Sequence, residues 1–224
     1  AVGTITTLVT HPEEDALVNG IDYHYLTSSG KWKVDGQFLH SETDDGGSGN
    51  GAFVDVGYTI RRGLNLKWGL SHFDDKFELN DLGFTRRNDA TATNLNLDYE
   101  RSDLPWFRKA SAESFMQYEV NGDGETTRVG FGSNIGLDLR SQDQIRGGIA
   151  YFPSRAEDRN SRDNGTFEVE GRHNFYADYF TDTAQRISYR IGMEHGGEEL
   201  ASIDALMGPL ENVRTLLPGD SHHL

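Results

Sequence analysis

The sequence predicts an all-β protein made of antiparallel strands. Apolar and polar residues alternate through eleven stretches of the chain, which is typical of strands with one apolar and one polar face. The clearest stretch places Phe131, Ile135 and Leu137 on one face and Arg128 and Asp138 on the other. Because a dry core cannot hold unpaired ionised groups, we expect the charged faces to meet water and the apolar faces to meet lipid. The sequence therefore predicts an up-and-down transmembrane β-barrel.

The predicted strands follow one another with turn-forming residues between them. Gly, Asp, Asn and Ser occupy nearly every gap, and the five prolines lie outside strand interiors. A strand of about ten residues suits a tilted crossing of a hydrocarbon layer. The predicted strands are residues 2–11, 17–27, 31–42, 51–61, 64–75, 90–101, 109–120, 126–140, 144–153, 166–180 and 185–195.

The connections between these strands alternate in length. The short ones are residues 28–30, 62–63, 102–108, 141–143 and 181–184. The long ones are residues 43–50, 76–89, 121–125 and 154–165. Because outer-membrane barrels turn tightly on the periplasmic side, we assign the long connections to the outside. Aromatic rings near the short connections suit the headgroup boundary, and they belong to Tyr25, Trp32, Trp106, Phe107, Tyr179 and Phe180.

Composition limits the classes of protein to consider. The 224 residues are 35% hydrophobic, and no stretch approaches the roughly 20 apolar residues of a membrane helix. A barrel needs only every second strand residue to be apolar. The net charge of −15 argues against nucleic acid as a partner, because binding phosphates requires clustered Lys and Arg. The absence of cysteine fits an oxidising periplasm.

The C-terminal part of the chain breaks the strand pattern. Residues 1–195 hold the predicted barrel strands and loops, whereas 196–224 are expected to contain no strand and to form a short helix, a plug or a loop. Single-chain bacterial barrels usually have an even number of strands. An open eleven-stranded sheet would expose unpaired backbone to lipid. We therefore expect these strands to be part of a larger barrel, completed by strands or subunits outside this chain.

Charged side chains on the inward faces and in the long connection 76–89 are the candidate binding groups. Arg86 and Arg87 place two guanidinium groups between carboxylates. The connection either pairs internally or folds inward, with these arginines opposite Asp98 and Glu113 in a field that orients polar solutes. Charges that merely solvate a water-filled interior are the simpler interpretation. The candidate binding residues are Asn80, Asp81, Arg86, Arg87, Asp98, Glu113, Arg128, Arg140, Glu168 and Arg172.

Motifs for catalysis and for metal binding are lacking. The sequence has no GxSxG turn and no phosphate-binding loop. The eight histidines do not have the spacing of zinc ligands, and the acidic turns 44–50 and 121–125 do not match a calcium loop. Glu168 and Glu170 project to one face, as a strand with period 2 produces by chance. We therefore predict no enzymatic activity, no cofactor and no metal.

Three segments resemble a bacterial protein family. The run FDDKFELNDLGFTRRND at 73–89 is similar to a stretch typical of that family, and residues 18–22 and 32–37 resemble its strands. The resemblance covers roughly residues 1–195. In that family a β-sandwich of the family 9 carbohydrate-binding type precedes an outer-membrane barrel domain of unknown function. The resemblance implies location in a bacterial outer membrane and contact with the lipid bilayer.

These observations lead to three expectations about function. The first is a channel or receptor for polar solutes, including saccharides, which cross a hydrated interior. The second is a closed barrel that anchors a surface carbohydrate-binding module. The third is an outer-membrane hydrolase.

Overall fold

A computed structural model of the chain consists of β-strands joined by turns. The structure describes residues 1–10, 15–43, 47–77, 87–102, 104–159, 165–198 and 219–223. Within these ranges there are fourteen strands. They are β1 (Val2–Thr10), β2 (Asp15–Leu26), β3 (Trp32–Thr43), β4 (Gly47–Arg61), β5 (Leu64–Phe73), β6 (Ala90–Ser102), β7 (Phe107–Asn121), β8 (Thr126–Leu139), β9 (Gln144–Phe152), β10 (Arg155–Glu157), β11 (Phe167–Val169), β12 (Arg172–Phe180), β13 (Arg190–Glu198) and β14 (Gly219–His223).

The strand order confirms an up-and-down antiparallel arrangement. Twelve strands form one sheet in chain order, from β1 to β9 and then through β12, β13 and β14. The remaining two, β10 and β11, form a separate hairpin between β9 and β12. Within the described ranges the order begins at β1 and ends at β14, so the sheet has two end strands there.

The chain divides into two compact units. The first comprises residues 1–95 and 118–125, and the second comprises 96–117 and 126–224. Over the part of the chain that the structure describes, no helix has the length and apolar character needed to cross a membrane.

Strand register in the first unit separates charged from apolar side chains. His24 lies opposite Asp35, which in turn lies opposite Asp55, and we call the face that carries them the charged face of this unit. On the other face, the apolar face, Ile21 lies opposite Phe38. These two side chains are 53% and 50% exposed. The apolar face therefore presents large hydrophobic groups outward.

The second unit has the same division. Phe131 on β8 and Ile149 on β9 lie on its apolar face and are 53% and 61% exposed. Its charged face carries Asp138 and Arg146, whose carboxylate and guanidinium groups lie 2.8 Å apart. The predicted alternation along β8 therefore places hydrophobic and ionised groups on opposite sides of one sheet, because successive side chains of a strand point to opposite faces.

Several strand boundaries differ from those that the sequence predicts. The strand predicted at 51–61 begins at Gly47, because the glycine-rich stretch pairs with the end of β3. The strand predicted at 166–180 is interrupted near Gly171, which leaves the hairpin strand β11 and the sheet strand β12. The expectation of no strand in 196–224 is wrong for residues 196–198, which end β13, and for Gly219–His223, which pairs with β13.

Two turns of the second unit are joined by the carboxylate of Asp143. Its Oδ2 accepts hydrogen bonds from Ser141 Oγ at 2.7 Å and from the Tyr179 hydroxyl at 2.9 Å. Its Oδ1 accepts one from the backbone N–H of Asp182 at 3.0 Å. The hydrogen bond from Ser141, followed by those from Tyr179 and Asp182, holds the pKa of Asp143 below its usual value. The connection between β8 and β9 is thereby fixed to the one between β12 and β13.

We predict that Asp143→Asn lowers the thermal midpoint by a few degrees at neutral pH. Because the pKa is lowered by folding, the charged carboxylate stabilises the fold above its unfolded pKa of about 4. That contribution is lost as the pH falls through the lower folded value. Thermal melting followed by circular dichroism should therefore show a difference from wild type at pH 7 that shrinks as the pH falls below about 4. Asp123→Asn, at an exposed turn carboxylate, is the control, and an equal loss in both variants would contradict the prediction.

Candidate functional site

The charged faces of the two units are organised by ion pairs. In the first unit Asp35 contacts the ring of His24 and lies 2.7 Å from Lys33 Nζ. In the second unit Arg190 Nη2 on β13 lies 2.7 Å from Asp178 Oδ1 on the neighbouring strand β12. Such partly exposed pairs each contribute under about 1 kcal/mol, so they orient side chains more than they stabilise the fold.

One end of the first unit's charged face is covered by a buried aromatic ring. Phe77, four residues beyond the end of β5, is 1% exposed and stacks on Phe73 with ring centroids 5.1 Å apart. Val18 and Leu39, which belong to the same face, complete the cluster and are 6% and 8% exposed. We call these four residues the Phe77 cluster. A face that is charged at its centre is therefore dry and apolar at this end.

Two glycines make the close approach of this segment possible. A side chain on Gly49 would meet the backbone nitrogen of Phe77 at 2.2 Å. A side chain on Gly51 would meet the ring of Phe73 at 2.4 Å. Since real Cβ atoms do not come so close to backbone or ring atoms, β4 can have no larger residue here without a shift of the segment. Glycine in a strand often marks such a close approach of another piece of backbone.

Hydrogen bonds fix both ends of the connection that follows β5. The Asp74 carboxylate accepts a 2.6 Å bond from the N–H of Asn50, and the Asp74 N–H donates to the Asn50 carbonyl at 3.0 Å. On the return, the Asp89 N–H donates to the Asp74 carbonyl at 3.0 Å. The Asn88 amide donates to the carbonyl of Asp75 at 2.9 Å. The described start and end of the connection are therefore held together.

A buried ion pair lies in the same unit. Arg87 and Glu119 have side chains that are 8% and 2% exposed, with Arg87 Nε 4.0 Å from Glu119 Oε1. Removing one member of a buried pair leaves an uncompensated charge, which costs several kcal/mol. This pair thus ties the returning segment to β7.

Three of the four predicted binding residues of the long connection lie outside the described residues, namely Asn80, Asp81 and Arg86. Arg87 lies on the connection, and its Nε is 4.0 Å from Glu119 Oε1, a carboxylate that was not among the predicted binding residues. Asp98 and Glu113 belong to the second unit, on β6 and β7.

The remaining predicted residues are all in the second unit but in different surroundings. Arg128 is half-buried on β8. Arg140 donates to the carbonyls of Leu104 and Pro105 at 3.0 and 3.2 Å, so it braces a turn. Glu168 is exposed on β11, in the two-stranded hairpin and not in the main sheet as predicted. Arg172 lies on β12, with its guanidinium carbon 4.6 Å from the ring centroid of Phe152.

Sequence reasoning did not select Phe77, Glu119 or Phe152 as site residues. The spacing of Phe73 and Phe77 across two aspartates is the signal that marks a folded-back segment rather than a solvated loop. Glu119 follows the alternation of β7 and differs from its neighbours only in tertiary burial. Among the described residues, no group of three or more His, Asp or Glu is arranged to hold a metal ion.

We predict that Gly49→Ala displaces the segment that holds Phe77. The added methyl group would meet backbone, which cannot rotate away as a side chain does, and overpacking of this kind costs about 2 kcal/mol. Hydrogen exchange of residues 74–77 should become faster. Gly57→Ala is the matched control on the same strand, since its nearest atom is the Lys33 Cβ at 3.7 Å. Equal exchange rates in the two variants would show that the close approach does not exist.

We predict that Glu119→Ala lowers the free energy of unfolding by about 3 kcal/mol, because it removes a buried carboxylate beside the buried guanidinium of Arg87. The double variant Arg87→Met with Glu119→Leu should lose markedly less, because both members of the buried pair are then replaced by apolar side chains. Urea denaturation of the wild type, both single variants and the double variant gives the coupling energy. Additive losses would contradict an interaction between the two side chains.

Comparison with known proteins assigns the chain to a family. Neither the comparison with curated proteins nor the comparison with solved structures gave a match. One family model matches residues 1–204, which is most of the chain. The chain belongs to the family described as Domain of unknown function (DUF5916).

Proposed function

We propose that this chain forms strands of a β-barrel in the outer membrane of a Gram-negative bacterium, and that the barrel is a channel or receptor for polar solutes, saccharides among them. In this proposal solutes move along a hydrated, charged interior and no bond is made or broken. The role of the lipid bilayer as partner follows from the apolar face, and the role of the solute follows from the charged face.

The observation that carries the proposal is the exposure of large apolar side chains directly behind ionised ones. On β8, Phe131 and Ile135 are 53% and 49% exposed, while Asp138 on the opposite face is ion-paired with Arg146. Soluble proteins rarely leave apolar groups of this size exposed on successive strands, and such patches mark contact with a partner or a membrane. A strand with apolar side chains on one face and paired charges on the other suits a barrel wall that separates lipid from an aqueous interior.

Aromatic rings near the short connections support the same placement. In the first unit Trp32 stacks on Tyr58, with ring centroids 4.2 Å apart, at the end of β3 nearest the connection 28–30. In the second unit Tyr179 contacts Tyr189 at 6.4 Å, and Trp106 is 80% exposed. Rings with one polar atom favour the headgroup region, where both apolar and polar surroundings are available.

The Phe77 cluster supports a narrowed interior. It covers part of the charged face of the first unit with groups that exclude water, and Ser41 on the same face is 1% exposed. A partial covering would select solutes by size. A complete one would favour the second candidate function, a closed barrel that anchors a surface carbohydrate-binding module.

Planar-bilayer recordings of the full-length protein separate the two candidates. The channel predicts stepwise conductance, and Phe77→Ala should enlarge the unit conductance because it removes a ring from the covered end. Phe38→Ala, on the apolar face, is the control and should leave the unit conductance unchanged. Silence of both the wild type and Phe77→Ala in a protein that inserts into vesicles would overturn the channel and favour the anchor.

A further inference from the structure

One end of the first unit carries exposed cations without acidic partners. Lys31 lies in the connection between β2 and β3, Arg61 is the last residue of β4, and Arg62 follows it. All three are exposed, and none takes part in an ion pair over the residues that the structure describes. We call these three residues the basic end of the first unit.

The sequence keeps acidic groups away from the basic end. Residues 23–34 and 56–73, which contain the two connections, include no Asp and no Glu. Asp35, the acidic residue that follows the first of these stretches, is occupied by His24 and by Lys33. The two connections thus supply no counter-charge to the basic end.

A backbone hydrogen bond joins the two connections. The Thr59 N–H donates to the Lys31 carbonyl at 2.8 Å, and Thr59 stands two residues before Arg61 on β4. The turn before Lys31 is closed by the Gly30 N–H, which donates to the Thr27 carbonyl at 2.8 Å. Lys31 and Arg61 are therefore held at the ends of neighbouring strands, so that one anionic surface can meet both.

Aromatic rings on the apolar face adjoin the basic end. Trp32 follows Lys31 and stacks on Tyr58, with ring centroids 4.2 Å apart. Tyr25, on the same face of β2, is 59% exposed. Such rings favour the headgroup boundary of a bilayer, between the acyl chains and the phosphate groups. From the strand interiors outward the order is apolar side chains, aromatic rings and cations, which matches the acyl chains, headgroup boundary and phosphates of a lipid leaflet.

The opposite end of the unit is acidic. Within the described residues of the first unit, its Lys and Arg residues are Lys76 and Arg87. Its acidic residues are Asp15, Glu42, Asp74, Asp75, Asp89, Glu119, Asp123 and Glu125. An anionic surface is therefore attracted to one end of the unit and repelled by the other.

We propose that the basic end of the first unit is a binding surface for anionic phospholipids, with Lys31, Arg61 and Arg62 on the lipid headgroups and Trp32 at the headgroup boundary. Cations beside a membrane attract anionic lipid in this way. The inference rests on the proposed placement in a membrane. It goes further by naming the class of lipid and the residues that distinguish it from a lipid without net charge.

The test is a lipid titration of the full-length protein in an uncharged detergent, followed by native mass spectrometry. The ligands are phosphatidylglycerol and phosphatidylcholine with identical acyl chains. We expect the wild type to bind phosphatidylglycerol more tightly, and Lys31→Gln to weaken that binding by about fivefold, since each cation near a lipid surface contributes about this much. Arg61→Gln combined with Arg62→Gln should weaken it further, and added salt should reduce the preference of the wild type.

Lys76→Gln is the matched control, because Lys76 is an exposed lysine at the acidic end of the same unit. It should leave the binding of phosphatidylglycerol unchanged. Equal affinities of the wild type for the two lipids, or equal weakening by Lys31→Gln and Lys76→Gln, would overturn the lipid surface. Displacement of the lipid by an equal concentration of glycerol phosphate would also overturn it, because binding would then need no membrane lipid.

The outcomes separate this inference from the proposed function. If channels open in planar bilayers but the two lipids bind alike, the lipid surface fails while the channel stands. If the binding of phosphatidylglycerol depends on the three cations in a protein that inserts into vesicles and conducts no current, the lipid surface stands and the channel fails.

Discussion

The structure depends on one constraint: each strand of the sheet has two faces that require different surroundings. Side chains alternate along a strand, so a sequence that alternates hydrophobic and ionised residues must present both to whatever lies on either side. On the apolar side of β8 and β9, Phe131, Ile149 and Tyr151 are 53%, 61% and 44% exposed, and on the charged side Asp138 is paired with Arg146. The membrane placement that we propose, with lipid on one side of the sheet and water on the other, suits both faces.

One end of the first unit's charged face is covered by apolar side chains, and the local sequence explains why. Gly49 and Gly51 remove side chains from β4, and the segment beyond β5 fills the space with Phe77. Because burying this ring brings backbone along with it, the polar groups of the segment need partners, which Asn50 and Asp74 supply to each other. The buried pair of Arg87 and Glu119 then fixes the return of the chain. The Phe77 cluster and the buried ion pair together cover one end of the charged face of the first unit.

The alternation of apolar and polar residues predicts a strand well where the pattern is regular. It predicts a strand poorly where glycines interrupt the pattern. The strands β8 and β9 were predicted to within one residue, because period 2 is uninterrupted there. The start of β4 was missed, since Gly47 to Gly51 has the composition of a loop and forms a strand only because β3 pairs with it. The strand Gly219–His223 was missed for the same reason, because its pairing with β13 is a long-range contact.

The partners of charged side chains were harder to predict than the strands. Arg87 could be singled out from the sequence, but its neighbour Glu119 could not, because burial is set by the fold.

The proposed division of the sheet into a lipid face and a water face can be tested at two adjacent residues. Residues 1–224 contain no cysteine, so Asn134→Cys and Ile135→Cys each add one labelling position to them, at nearly the same place along β8. A fluorophore on each cysteine is followed after the full-length protein is reconstituted into vesicles with brominated acyl chains. We predict that the label at 135 is quenched by the brominated lipid and not by aqueous iodide, and that the label at 134 behaves in the opposite way. Quenching of both labels by iodide alone would contradict the placement of the apolar face in a membrane.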